Sequence, residues 1–268
     1  MSKRNSQDAK RAARERLRVE REQQAKKDKR RRQLGVAGAV VAILAIAGGI
    51  GYAVTQMGSD WDKASDGELV VPEHASGENG TTVLIGDESA EKTLHVYEDM
   101  RCPACAAFEQ SAGATLKEHV ADGKYQVSYT MATFIDDVAS GEGSKNSLSA
   151  LGAALDVSED AFMEYKYALY SAENHPQESL DEFAKDDYLL DVAQEVDALK
   201  DNAEFERNVE EGTFDRWALE MSEKFDDNKD GVTGTPSFVM DGEKLEVPNM
   251  PAPSPEQFTQ AVEAALEK

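Results

Sequence analysis

Short β-rich runs alternate with helical stretches from Thr81 to the end of the chain. TTVLI and TLHVY read as strands, and Tyr125, Val127, Tyr129 and Met131 alternate with Gln126, Ser128 and Thr130 as a half-buried strand does. Between the second and third of these runs, Phe108, Ala112, Leu116 and Val120 recur at helical spacing, which predicts a strand, helix, strand unit. From about 144 to 226 the pattern is helical only. Leu189, Val192, Ala193, Val196 and Leu199 form one apolar stripe, and Phe214, Trp217, Met221 and Phe225 form another, both read as core. Strand character returns in PSFVMDG and KLEVP, and Asp241-Gly242 between them predicts a β-hairpin. The closing helix starts with Ser254 as N-cap, Pro255 at its first position and Gln257 at the capping-box position, with Phe258, Val262, Ala265 and Leu266 on its buried face.

A different pattern fills the first 80 residues. QLGVAGAVVAILAIAGGIGYAVTQMGS, residues 33–59, has no charged side chain. Since about 20 apolar residues cross a bilayer core, Leu34 to Val54 is long enough to span, and we assign 33–56 as a single transmembrane helix. The run is apolar on every face, unlike a buried amphipathic helix. A cleaved signal peptide is the competing reading, with Gly51 and Ala53 supplying small residues near a cleavage site, although the basic region and the apolar run are both long for one. No cysteine lies near the end of the run, which excludes a lipid-anchored cysteine. Residues 57–80, rich in Gly, Ser, Asp and Glu without a sustained apolar period, read as a tether.

Charge then sets an orientation. The formal net charge is -23, but residues 1–32 hold 14 Lys/Arg against 5 Asp/Glu, and everything after holds 15 against 47. A basic head beside a first hydrophobic span stays on the cytoplasmic side, so residues 1–32 are expected to be a cytoplasmic tail and residues 81–268 an extracytoplasmic domain. RAARERLRVEREQQAKKDKRRR has no aromatic residue and no zinc or helix-turn-helix spacing, so it reads as a solvated tail drawn to anionic lipid, with no nucleic-acid partner. The acidic remainder is a soluble face that repels acidic surfaces. With 268 residues, 40% of them hydrophobic, the chain suits one domain with appendages.

The chemistry concentrates in TLHVYEDMRCPACAAFEQ, which holds both cysteines of the chain, Cys102 and Cys105. A cysteine at the first turn of a helix faces unpaired backbone N–H groups and the positive end of the helix dipole, and both stabilise a thiolate. In such places a thiol falls from about 8.5 to between about 3.5 and 7.5, which makes a nucleophile for thiol–disulfide exchange at neutral pH. Cys102 is that nucleophile. Cys105, one turn on, resolves the mixed disulfide, and Pro103 suits a first helical position. A purely structural disulfide closing so short a loop constrains little chain entropy. A zinc or copper site would need further ligands, and His74, His95, His119 and His175 show no metal spacing, so neither metal nor cofactor is expected.

The region 81–268 resembles the thioredoxin superfamily, specifically DsbA-like thiol:disulfide oxidoreductases. The matching pieces are IGDESAEKTLHVYEDMRCPACAAFE, the all-helical middle and GVTGTPSFVMDG. The resemblance implies an α/β thioredoxin fold with a helical insertion at about 144–226. It also implies a loop facing the CxxC with a cis proline, here Pro236 preceded by Thr235, which leaves the Thr235 backbone free to pair with an extended substrate. By itself Pro236 could instead simply start a strand. Many relatives place a buried acid six residues before the first cysteine. That position is Val96, with Glu98 and Asp99 nearer the motif as alternatives. Pro103-Ala104 lacks the histidine of the most oxidising relatives. The implied partners are cysteine-containing secreted or envelope proteins and a quinone-linked membrane protein for reoxidation. Envelope disulfide reductase and a non-catalytic copper- or protein-binding module are the alternative functions. Finally, DDNKDGVTGTPS begins like a calcium loop, with Asp226, Asn228, Asp230 and Gly231 in place, but Ser237 stands where a bidentate Glu is required.

Overall fold

The computed structural model describes residues 60–268. The basic head and the expected span at 33–56 lie outside the described residues. Among the described residues no helix is long and apolar enough to cross a membrane.

Helix α1 (Asp60–Ser65) is followed by strands β1 (Val83–Ile85) and β2 (Thr93–Asp99). A helical run comes next, made of α2 (Pro103–Phe108), a π turn (Glu109–Gly113) and α3 (Ala114–Ala121), and it leads into β3 (Gln126–Ala132). Six helices follow: α4 (Phe134–Ala139), α5 (Gly143–Val157), α6 (Glu159–Tyr170), α7 (Asp186–Ala193), α8 (Ala203–Glu210) and α9 (Asp215–Asp226). The hairpin β4 (Ser237–Met240) and β5 (Glu243–Lys244) and helix α10 (Pro255–Leu266) close the domain. The sheet order is β1-β3-β2-β4-β5, with β2 and β3 parallel and the other pairs antiparallel. This is an α/β thioredoxin-like fold whose crossover between β3 and β4 carries the helical insertion.

Local chemistry explains several of these elements. Asp241 and Gly242 both take positive φ, 53° and 75°, as a two-residue turn matched to strand twist requires. The Ser254 hydroxyl accepts the Gln257 N–H while the Gln257 side chain accepts the Ser254 N–H, so the capping box is complete. The spacing Phe108, Ala112, Leu116, Val120 is four residues throughout, which drifts by about 40° per step on a regular α-helix. The π turn takes up part of that drift, and all four side chains are buried.

Three expectations change. Strand β3 is not half-buried: Ser128 and Thr130 are buried along with Tyr129 and Met131, because β3 pairs on both edges and helices cover both faces. The stripe from Leu189 to Leu199 is not one helix. Helix α7 ends at Ala193, and Val196 and Leu199 are buried from successive turns. The tether assigned to 57–80 is also corrected, since residues 60–80 lie on the domain. Trp61 is buried in the core, Arg216 donates to Ser65 O at 2.5 Å, Trp217 Nε1 to Gly80 O at 2.8 Å, and Glu73 N to Asp156 Oδ1 at 2.8 Å. Isolated anchors and backbone hydrogen bonds hold such a strap without any apolar period.

Candidate active site

Strand β2 delivers the chain to the turn Met100–Cys102, where Cys102 N donates to Asp99 O at 2.9 Å. Cys102 is the N-cap of α2, with extended backbone angles, and Pro103 occupies the first turn. Both thiols are free and buried, Cys102 at 6% exposure and Cys105 at 0%. The cis peptide Thr235-Pro236 lies across from them, and Cys102 Sγ is 3.6 Å from Thr235 O. The structure therefore brings together Cys102, Cys105, Thr235 and Pro236 from segments 133 residues apart in sequence.

The two thiols sit in opposed environments. Cys102 is lowered to about 6, first by the hydrogen bond from the Cys105 thiol, then by the Thr235 hydroxyl and the N–H groups of Cys105 and Ala104, all against the effect of burial. The Thr235 hydroxyl is buried with no hydrogen-bond partner in place, which leaves it available to the Cys102 sulfur. Burial pushes Cys105 well above the ordinary thiol range, and the Cys102 and Glu98 charges add to it. One sulfur is thus held as a thiolate near neutral pH, while the other holds its proton.

Beneath the cysteines lies a buried charge cluster that sequence reasoning did not assemble. Strand residues alternate between faces, so Glu98 points to the same face as Val96 and Leu94. The acid expected at Val96 is found one pleat further on. Lys166, from α6, places Nζ 2.9 Å from Glu98 Oε2 and 2.6 Å from Glu109 Oε1. All three residues are buried, and Nζ also lies 4.7 Å from the centre of the Tyr129 ring. Burial raises Glu98 to about 8, with Lys166 opposing and Glu109 adding. Burial pulls the Lys166 ammonium down, yet the two carboxylates hold it well above its ordinary value. A signal for Lys166 was present: Phe162, Tyr165, Lys166, Leu169 and Tyr170 follow the i, i+3, i+4, i+7, i+8 rule of a buried face.

Asp99, the other nearby acid, faces away from that cluster. It accepts from Arg101 N at 3.0 Å, Ser144 Oγ at 2.6 Å and Ile135 N at 3.0 Å, and burial raises it to about 7. Arg101, 3% exposed, pairs with Asp136 at 2.8 Å and Asp181 at 3.2 Å and donates to Glu178 O at 3.0 Å. His175 Nε2 lies 3.0 Å from Met100 O. These contacts clamp the turn before Cys102 to the helical insertion. Two oxygens of the calcium-like loop are engaged within the protein: Asn228 Oδ1 accepts Val232 N at 2.9 Å, and Asp230 Oδ2 accepts the Tyr97 hydroxyl at 2.6 Å.

Residues 78–264 match the thioredoxin family, and the match encloses both cysteines and the cis proline. The chain belongs to the thioredoxin family. Among solved structures, this family member superimposes with TM-score 0.57 on the reduced disulfide bond oxidoreductase DsbG from Mycobacterium tuberculosis, at 21% identity over 70% of this chain and 89% of that one. It superimposes with TM-score 0.59 on MdbA, a thiol-disulfide oxidoreductase from Actinomyces oris, at 18% identity over 75% and 98% of the two chains. A 121-residue stretch, 43% of this chain, is 29% identical to the serine/threonine-protein kinase PknE of Mycobacterium tuberculosis. The thioredoxin-family chain spans 21% of the length of that curated relative. The structural likenesses establish a shared fold with DsbA- and DsbG-type proteins.

Proposed function

We propose that this protein is an extracytoplasmic thiol:disulfide oxidoreductase, tethered through residues 33–56, that forms or isomerises disulfides in secreted or envelope proteins. The observation that carries the reading is the placement of the thiol pair, with Cys102 at a helix N-cap 3.6 Å from the Thr235 carbonyl of the cis Thr235-Pro236 peptide and Cys105 fully buried one turn on, an asymmetry that favours the thiolate at Cys102. Named neighbours of the same fold are thiol-disulfide oxidoreductases, which supports it.

In the reaction, the Cys102 thiolate attacks a substrate disulfide, or a substrate thiolate attacks the Cys102–Cys105 bridge at Cys102. The Thr235 backbone positions an extended substrate beside Cys102 by strand addition. Cys105 then resolves or is released. Its buried sulfur does not persist as a thiolate, so each opening of the bridge requires a proton, and Glu98 is the acid placed to supply it. An oxidase of this kind is reoxidised by another protein, and the resemblance to DsbA-like enzymes implies a quinone-linked membrane partner.

Two experiments test this. Cys105→Ser accumulates mixed disulfides through Cys102, whereas Cys102→Ser traps none; equal trapping by both refutes the division of roles. Equilibration in glutathione buffers gives the direction, and a potential far below that of the glutathione pool favours the reductase. An unperturbed Cys102 with no disulfide exchange favours the tethered binding module.

A further inference from the structure

Resting on the oxidoreductase reading, we propose that Tyr97, Asp230 and Asn228 are positioning residues that register the Thr235 segment to strand β2, which selects extended disulfide-bonded peptides over small disulfides as substrates. The calcium-like run at 226–237 supplies Asn228 and Asp230, and it forms a closed loop between the end of α9 and the start of β4. Asn228 braces that loop. Its Oδ1 accepts Val232 N at 2.9 Å, while its Nδ2 donates to Val232 O at 2.8 Å and to Phe225 O at 2.7 Å. Gly231, at φ 66°, turns the chain between exposed Asp230 and buried Val232. Ser237 Oγ then donates to Gly234 O at 2.8 Å, which closes the chain around Thr235 and Pro236.

Tyr97 joins this braced loop to the sheet. It stands opposite Ser237 in the pairing of β2 with β4, and its side chain lies on the face of β2 away from Glu98. There its ring is buried in an apolar cluster with Ala132, Phe225, Val232 and Val239, edge-on to Phe225 with centroids 6.1 Å apart. The hydroxyl at the end of that ring donates to Asp230 Oδ2 at 2.6 Å. A bond of that length to a carboxylate is among the stronger hydrogen bonds a protein makes. Cys102 follows the same strand, three residues beyond its last residue, Asp99. Strand β2 is therefore a common reference: it carries Cys102 through its backbone and holds the loop through Tyr97. The 3.6 Å between Cys102 Sγ and Thr235 O is set from both sides.

A peptide that adds as a strand beside Thr235 depends on where the main-chain groups of that segment point, because backbone hydrogen bonds weaken steeply with misalignment. A disulfide without peptide groups makes no such bonds and depends on Cys102 alone. Loosening the loop therefore slows exchange with peptides first. The covalent step is the same for both. The Cys102 thiolate attacks one substrate sulfur, the substrate S–S bond breaks, and its electron pair leaves on the other sulfur as a thiolate. Cys105 then gives up its proton and attacks Cys102 Sγ, and the second substrate sulfur leaves and takes up that proton. The substrate is reduced to two thiols as the Cys102–Cys105 bridge forms.

Tyr97→Phe tests this, because it keeps the ring in its cluster and removes only the hydroxyl. The full-length protein is reduced, and its rate constants for oxidation by a disulfide-bonded peptide and by oxidised mercaptoethanol, which has no peptide group, are measured side by side. Hydrogen exchange at the Val232 amide, inside the braced loop, is followed in parallel. The ratio of the peptide rate constant to the small-disulfide one is expected to fall about fivefold or more in Tyr97→Phe and in Asp230→Ala. In both variants the Val232 amide exchanges about tenfold faster. Asp230→Asn, whose Oδ1 still accepts the Tyr97 hydroxyl, recovers most of the wild-type ratio. A ratio in Tyr97→Phe equal to that of wild type overturns the inference, including the case in which both rate constants fall together, since that is a general loss of structure. A wild-type protein that reacts with neither disulfide overturns the oxidoreductase reading instead, and the amide exchange still decides whether Tyr97 holds the loop.

Discussion

Replacing Lys166 by Met separates charge from packing at the centre of the molecule. The methionine side chain fills nearly the volume of the lysine stem, so the packing of the stem is retained, while the cation–π contacts of the ammonium with the Tyr129 and Tyr170 rings go with the charge. What is lost is the ammonium, with its bonds to Glu98 and Glu109 at 2.9 Å and 2.6 Å. Removing one partner of a buried ion pair costs about 3–5 kcal/mol, because the remaining charge has no compensation. Here two carboxylates are left facing each other, so the upper end of that range is expected above neutral pH. The sign of the pH dependence follows from Glu98, whose folded value, about 8, already exceeds its ordinary 4.5. A raised acid contributes stability that is fully present below its unfolded value and is lost as pH rises through its folded value. Without the ammonium the folded value rises further, so the loss of stability that levels off in wild type as pH passes about 8 continues beyond it in the variant, at a limiting slope of about 1.4 kcal/mol per pH unit for each proton. Urea denaturation of the reduced protein at pH 5, 7 and 8.5 measures this. A deficit below about 1 kcal/mol at pH 8.5, or one equal at pH 5 and 8.5, refutes the reasoning, the latter because it identifies a packing loss.

Three further substitutions probe other parts of the account. Cys105→Ala removes the first donor to the Cys102 thiolate, so the midpoint of the Cys102 alkylation rate against pH moves from about 6 towards about 8.5; an unmoved midpoint refutes the assigned cause. Arg101→Met leaves Asp136 buried without its guanidinium, costing about 3–5 kcal/mol in chemical denaturation, and a change under about 1 kcal/mol would show that the clamp before Cys102 is not electrostatic. Trp61→Ala empties the anchor of the strap at 60–80, with an expected cost of about 3 kcal/mol and new proteolytic cleavage between residues 66 and 71. Unchanged cleavage there would mean that the strap is held by its hydrogen bonds alone.

The elements that were legible in advance are those with strong local codes. The capping box at Ser254, the turn at Asp241-Gly242, the strands at 93 and 126 and the cysteine at a strand-to-helix turn each depend on a few adjacent residues. The strap was not legible, because its hydrogen-bonding anchors, Ser65, Glu73 and Gly80, are spaced without period and bond to residues 83 to 151 positions away, with Trp61 buried beside them in the core. Burial of Ser128 and Thr130 was equally hidden, since an alternating pattern describes one covered face and β3 has two.

At the site the same division holds. Sequence alone placed two thiols one turn apart at a helix start and singled out Thr235 and Pro236 as their partners, because those features rest on local geometry and on a pattern spread over the whole domain. Which acid lies buried near Cys105 was decided only by the tertiary structure. Glu98 shares a face with Val96 through the pleat of one strand, but its proton affinity depends on a lysine 68 residues later and on a glutamate held inward by a π turn. Electrostatic energies inside a protein depend on through-space distance and on burial, and neither quantity is encoded by the spacing of residues along the chain.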